Sequence, residues 1–305
     1  SSRAFLQTLL AGRAAEAALR LALEASNLTP AEQGIWAAHP ILDRETDEGL
    51  EFRAVSRWLD AEFFLLEGIG GVRGWEGERR IGLVGWSLLP SARVGAFGAS
   101  VEMNGSLQLQ GRGGLEADRF FQVPEEWDGI DCSVHLAVLD TLFPGRRVPP
   151  AGPLSDPKSP PGVVPSLGFL DGSRLLELVG GTTDSDPGPF PGSLDGGCPG
   201  EEGPVFLGGP GSFSLTGGRI CGVLVVEGDL HLSGDARFQG LALVGGDLIL
   251  SDSAVFEGMA RVGGGVRLWG DGLFQGSGCP VLRALEGIAA LQTPFLVDGT
   301  KINGF

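Results

Sequence analysis

Cys132 and His135 stand three residues apart, with Asp128 and Asp131 just upstream. A thiolate beside an imidazole could act as a nucleophilic pair, and the same residues could begin a zinc site. Neither chemistry finds its remaining parts. The four cysteines, Cys132, Cys198, Cys221 and Cys279, contain no Cys-x-x-Cys and match no zinc spacing. His39 precedes Pro40 in an expected loop, and His231 falls in an outward-facing repeat column. Disulfides are the better use of the cysteines, with free buried thiols as the alternative. Four cysteines allow three pairings. Cys132 and Cys198 bracket the most Pro/Gly-rich stretch, so a Cys132–Cys198 bond that closes this loop is expected, in an oxidising compartment.

Carboxylates offer a second chemistry. Residues 182–202 place Asp184, Asp186, Asp195, Glu201 and Glu202 in Gly/Pro-rich backbone, where calcium could find oxygen ligands. The spacing is not that of an EF-hand, and a solvated acidic loop is the simpler expectation. Asp229, Asp247 and Gly265 share a repeat column, but each follows a glycine at a bend, where turn chemistry accounts for them. The run Gly263–Gly265 lacks the strand-to-helix context of a phosphate loop. Arg73, Arg79 and Arg80 gather around Trp75 and could meet a phosphate and a base, diluted by Glu76 and Glu78. Asn27-Leu28-Thr29 and Asn104-Gly105-Ser106 fit the glycosylation sequon. No catalytic residue, cofactor or metal is therefore expected.

The bulk composition bounds the classes, and the charge fits a soluble, secreted-type surface kept monomeric by self-repulsion. The chain has 305 residues with 38 acidic and 22 basic side chains, a formal charge of −16. Only Lys158 and Lys301 are lysines. Such a chain repels nucleic acid and anionic membranes overall. Fifty-two glycines and 20 prolines would suggest disorder, yet 42% of residues are hydrophobic and no Gly-X-Y period runs through the chain. No apolar run is long enough to span a bilayer. The chain opens at Ser1-Ser2-Arg3 inside an apparent helix, as a piece cut from a longer protein would.

Residues 3–28 carry a helical period, with Phe5, Leu6, Leu9, Leu10, Ala14, Ala17, Ala18, Leu21 and Ala25 on one face. Asn27 and Pro30 end it. From about 50 to 92 the pattern shortens to strands around a Gly-rich hairpin at 68–77. Residues 122–203 form an irregular excursion, broken by prolines that exclude a central strand, with 135–143 as helix or strand.

The strongest signal lies at 204–278. Phe238, Phe256 and Phe274 recur every 18 residues. Val226, Val244 and Val262 keep the same interval, as do Gly240, Gly258 and Gly276. Within one unit the alternating pairs Leu224/Val226, Leu230/Leu232 and Ala236/Phe238 each start six residues after the last. Alternation places both members of a pair on one strand face. Three inward-facing strands per unit make one triangular turn of a parallel β-solenoid, with glycines at the corners. The cadence of 103–111 matches, so the solenoid is expected to begin near 95, to be interrupted at 122–203 and to resume near 204. Residues 281–292 should form a capping helix and 294–305 a last strand. The expected domains are 1–92, 93–280 and 281–305, in a mainly β fold with an N-terminal helix.

The helix, most of all Ala11 to Ala22, followed by a sheet resembles the exposed part of type IV minor pilins. The 18-residue repeat resembles the β-solenoid of bactofilins and of pilin-like proteins with an inserted solenoid. The resemblance implies a non-enzymatic, extracellular pilin-like subunit, anchored in the membrane before assembly by an apolar half-helix not present here. Its partners would be other pilin subunits through the N-terminal helix, with the solenoid displayed for adhesion, a surface ligand or DNA. Nucleic acid fits the acidic charge poorly. Two other classes remain: a structural solenoid polymer of the bactofilin type, and a carbohydrate-active β-helix enzyme that would need paired carboxylates in a cleft.

Overall fold

Alanine, not leucine, decides how the N-terminal helix packs. Helix α1, Ser2–Ala25, buries Ala11, Ala14, Ala15, Ala18, Leu19 and Ala22, whereas Phe5, Leu6, Leu9 and Leu21 remain exposed. The reason lies in the strand beneath it. The computed structural model describes residues 2–25, 36–60, 63–88, 94, 97, 99–116, 123–125, 127, 129–132, 154–155, 162–180, 195–200, 203–297 and 300–303. They divide into two units, 1–89 with 293–305, and 90–292.

In the first unit α1 lies on an antiparallel sheet built from β1 (His39–Glu45), β2 (Leu50–Trp58), β3 (Phe63–Val72) and β4 (Arg79–Trp86). Gly68 and Gly70, expected in a hairpin turn, are strand residues of β3. A Cβ at Gly68 would stand 2.2 Å from the Ala15 carbonyl oxygen, and one at Gly70 2.0 Å from that of Ala11. Helix backbone therefore rests on strand backbone, and only small residues fit between them. Trp58, Phe64, Leu66 and Trp86 complete the buried interior of this unit.

His39 and Pro40 open β1 rather than a loop. Proline lacks a donor, so the strand takes the sheet edge, with an irregular register at Pro40. The C-terminal residues add two short strands, β18 (Phe295–Leu296) and β19 (Ile302–Asn303), both antiparallel to β4. The expected 281–305 segment thus divides between the units. Lys301 Nζ reaches Glu16 Oε1 at 2.9 Å and, by hydrogen bond and charge, holds the Glu16 carboxyl below its ordinary range. This tether is complete above the ordinary carboxylate range and is lost as pH falls through the depressed value. Lys301→Met should return the Glu16 titration, followed by NMR, toward that range.

The second unit is the parallel β-solenoid. Its first side stacks β10 (Phe213–Leu215), β12 (Leu230–Leu232), β14 (Leu248–Leu250), β16 (Val266–Gly270) and β6 (Leu107–Gly111). The second and third sides share the long strands β11 (Arg219–Val226), β13 (Arg237–Val244) and β15 (Val255–Val262), which bend at Gly222, Gly240 and Gly258. β17 (Leu273–Gly276) and β7 (Gly114–Glu116) extend the second side, and β9 (Val205–Gly209) and β5 (Val101–Met103) the third. Register steps of 18 residues stack Phe238 on Phe256 on Phe274, with ring centroids 4.9 and 4.6 Å apart.

Order in space departs from order in sequence. The rung at 101–116 pairs with the last rung, Val101 beside Ala260, Leu107 beside Val266 and Leu115 beside Phe274. The chain lays down the lower end first, crosses to the far end and winds back to meet it. Part of the crossing is a strap: the backbone nitrogens of Gly162 and Val164 lie over Gly263 and Gly245. Arg261 fastens this place, bonding Glu102 at 2.8 Å and the Ser166 carbonyl at 2.9 Å beneath the Phe97 ring.

The excursion was expected to be irregular, but it contains helix α2, Gly172–Gly180. Asp171 caps it by accepting the Arg174 N–H at 2.7 Å. α2 packs against β9 and β11. Helix α3, Cys279–Gly287, followed by a single turn at Ala289–Gln292, lies across β11, β13 and β15 rather than over an end of the solenoid. Residues 135–143 lie outside those described.

The expected Cys132–Cys198 bond is not formed. Cys132 joins Cys279 at the start of α3, and Cys198 joins Cys221 on β11. All four cysteines sit in one buried cluster with Trp127. Each end of the excursion is stapled to the element beside it instead of to the other end.

Candidate functional surface

From Phe213 to Phe274 the inward residues of the rungs are committed to the core, so on these rungs function rests on the outward columns. On the third side Val223, Val225, Leu241, Leu243 and Met259 point outward yet are buried. That side is closed. The first side presents Ser214, His231, Ile249, Arg267 and Gln108 in register. The second presents Cys221, Gln239, Glu257, Gln275 and Glu116.

The second-side column is a polar ladder. Gln239 is 3% exposed and uses both ends of its amide. Its Oε1 accepts from Trp127 Nε1 at 3.2 Å and from Arg219 Nη2 at 2.9 Å, while its Nε2 donates to Glu257 Oε2 at 2.9 Å. Gln275 Nε2 reaches Glu116 Oε2 at 3.5 Å. Residues 123–125 lie alongside and enclose a cleft of about 360 Å³, lined also by Arg237, Val255 and Leu273. Amide, carboxylate and arginine at adjacent rungs suit hydrogen-bonded recognition of a polar ligand.

The Asp229/Asp247 column performs the corner role its position suggested. Asp229 Oδ1 accepts the Asp247 N–H at 2.8 Å, and Asp247 Oδ1 accepts the Gly265 N–H at 2.7 Å. Asp247 also pairs with Arg267 at 2.6 Å. Asp247→Ala should therefore lose about 1–2 kcal/mol in urea unfolding, because the Gly265 donor is left without its acceptor. His231 faces outward and meets Ser251 Oγ at 3.1 Å.

Other sequence candidates resolve differently. Cys132 is a disulfide sulfur and offers no nucleophile. His135 and Asp128 lie outside the described residues, while the Asp131 carbonyl accepts from Arg283 at 3.3 Å. Of the acidic loop, Asp195 is described and binds the Arg219 N–H at 2.6 Å; Asp184, Asp186, Glu201 and Glu202 lie outside. Among the described residues no group of three His, Cys, Asp or Glu could hold a metal.

The arginine cluster is largely neutralised. Arg73 pairs with Glu45, and Arg80 and Arg53 both pair with Glu78. The Trp75 ring folds back over Gly77. The sequon at Asn104 occupies a half-buried solenoid corner, and that at Asn27 lies outside the described residues.

The ladder itself was visible in the repeat as the middle letter of "FQG", "FEG" and "FQG". The contact from Trp127 was not, because 112 residues separate it from Gln239. A second groove, of about 490 Å³, runs between α1 and β4, lined by Phe5, Leu9, Gly12, Arg13, Arg79 and Ile81. Among the described residues no helix is long and apolar enough to cross a membrane.

No protein-family model matches the chain. No curated protein matches it in sequence. Among solved structures it is similar to the crystal structure of the competence-associated pilin ComZ from Thermus thermophilus, at 12% identity and a TM-score of 0.32, over 98% of this chain and 96% of that one.

Proposed function

We propose that this chain is a non-enzymatic, extracellular filament subunit of the type IV minor-pilin kind, in which α1 is the assembly element and the solenoid is the displayed part. The observation that carries this reading is the two-faced character of α1. Its alanines are fixed against β3, whereas Phe5, Leu6 and Leu9 are 72%, 54% and 45% exposed on its first turns. A large apolar stripe on one end of an otherwise docked helix supports packing against neighbouring subunits. Membrane anchoring before assembly would be the work of a segment ahead of α1.

Two disulfides support an oxidising, extracellular location. Glu257 and Gln275, the half-buried members of the polar ladder, support a polar surface ligand on the solenoid. The charge of −16 and the paired arginines weigh against DNA as that ligand. The test is Phe5→Ser, Leu6→Ser and Leu9→Ser together, expressed in the cell of origin. Loss of the chain from sheared filaments, with the disulfides and circular dichroism unchanged, is expected. Unaltered incorporation would refute the proposal.

A further inference from the structure

On its first side the solenoid is finished differently at its two ends. On the first side the upper end buries its inward side chains Phe213 and Leu215; on the third side Val205 and Leu207 are half-buried, and α2 packs against β9 and β11. At the lower end the terminal rung is 101–116. Its Leu109, the register partner of buried Leu268, is 56% exposed, and inward-facing Leu107 and Leu115 are only half-buried. Of the three strands in that rung, β5 alone carries a further strand, β8 (Leu154–Ser155).

The backbone of β6 shows what this end lacks. Val266 N–H donates to the Ser106 carbonyl, and Arg112 N–H to the Gly270 carbonyl. Even-numbered residues of β6 therefore turn their backbone groups to β16, and by alternation Leu107, Leu109 and Gly111 turn theirs away. Among the described residues no strand pairs with that outer edge. Exposed edges are ordinarily blunted by charge or proline. Residues 103–111 contain neither, in a chain where 20% of residues are charged. The repulsion carried by a net charge of −16 is relieved at the place where core and backbone are both open.

We propose that this edge pairs with the same edge of a second copy, antiparallel about a two-fold axis through Leu109. That operation sets Leu109 opposite its own counterpart and Leu107 opposite Gly111, so every outward N–H and C=O of β6 meets a partner. Gln108 then faces Gln110 of the second copy, amides that both donate and accept. The open Leu107–Leu109 end of each core closes on the other. The contact is isologous, the same edge on both copies, so it closes at two.

Sedimentation equilibrium of the purified full chain tests this independently of the filament reading. Mass is expected to rise from 31.7 kDa toward twice that value with concentration. Leu109→Lys, which sets two ammonium groups opposite each other, should weaken dimerisation at least about 100-fold with the circular dichroism spectrum unchanged. Hydrogen exchange at the Leu109 amide should slow with concentration in the parent chain and not in the variant. A parent chain that stays monomeric, a dimer that Leu109→Lys leaves intact, or a Leu109 amide protected equally at all concentrations would each overturn the proposal.

Discussion

Gly70→Ala, the addition of one methyl group, should strip α1 from its sheet and destabilise the first unit by more than about 3 kcal/mol. The new Cβ would stand 2.0 Å from the Ala11 carbonyl oxygen, 2.4 Å from the Ala15 nitrogen and 2.9 Å from the Ala14 Cβ. Two of those atoms are helix backbone, so no side-chain rotation relieves the overlap. The helix must move as a body, and its buried alanines lose the contact that holds them. The control is Gly12→Ala on the same helix. No atom lies within 4 Å of the position its Cβ would take. Alanine is the better helix former by about 1 kcal/mol, so this change should raise stability. Urea unfolding followed by circular dichroism measures both. A Gly70→Ala protein as stable as the parent would show that α1 does not rest on β3 at that distance.

The same glycines show how the sequence misleads at short range. Gly68, Gly70 and Gly71 read as a turn because glycine tolerates turn conformations, yet here they are extended strand chosen for absence of bulk. The large residues Phe5, Leu6 and Leu9 read as the buried face because hydrophobicity marks a core face, but the face set on Gly68 and Gly70 is that of Ala11, Ala14, Ala15 and Leu19. β1 was hidden by Pro40, which is tolerable only at an edge, and edges are a property of the assembled sheet. α2, by contrast, carried its own signal in Asp171 at the cap position and the four-residue step from Leu175 to Val179.

Legibility in the solenoid follows the range of the interaction. Columns such as Phe238–Phe256–Phe274 repeat along the chain, so their stacking could be read directly. The placement of 101–116 beneath 255–276 could not, since nothing local distinguishes the first rung in space from the last. Cysteine pairing failed for the same reason: Cys132 and Cys198 share a cluster, and which sulfur each meets depends on where Cys221 and Cys279 arrive. The polar column of Gln239, Glu257 and Gln275 was missed, although its place between the repeated phenylalanine and glycine could have marked it. Its enclosure by 123–125 carried no such mark, because a segment more than a hundred residues away supplies the wall.

Gly258→Ala should be at least as damaging as Phe256→Ala, although it removes nothing. Truncating a buried phenylalanine within a stacked ladder costs about 3–5 kcal/mol through lost contact and the cavity left behind. At Gly258 the backbone angle φ is +152°, a conformation side chains seldom adopt, and an added Cβ would meet the Gly240 carbonyl oxygen at 1.8 Å. That oxygen belongs to the rung above and is itself part of the bend at which the second side turns into the third. Relief would require two adjacent rungs to separate, and a solenoid is stabilised chiefly by the interface between neighbouring rungs. The injury therefore spreads along the stack instead of staying at one residue. Gly114→Ala is the counterpart at the lower end, with no atom within 4 Å of the new Cβ, and should stay within about 0.5 kcal/mol of the parent. Urea midpoints for the three variants give the expected order, Gly258 lowest or level with Phe256 and Gly114 near the parent. If Gly258→Ala unfolds with the parent, the rungs do not meet at that corner and the triangular stacking is refuted.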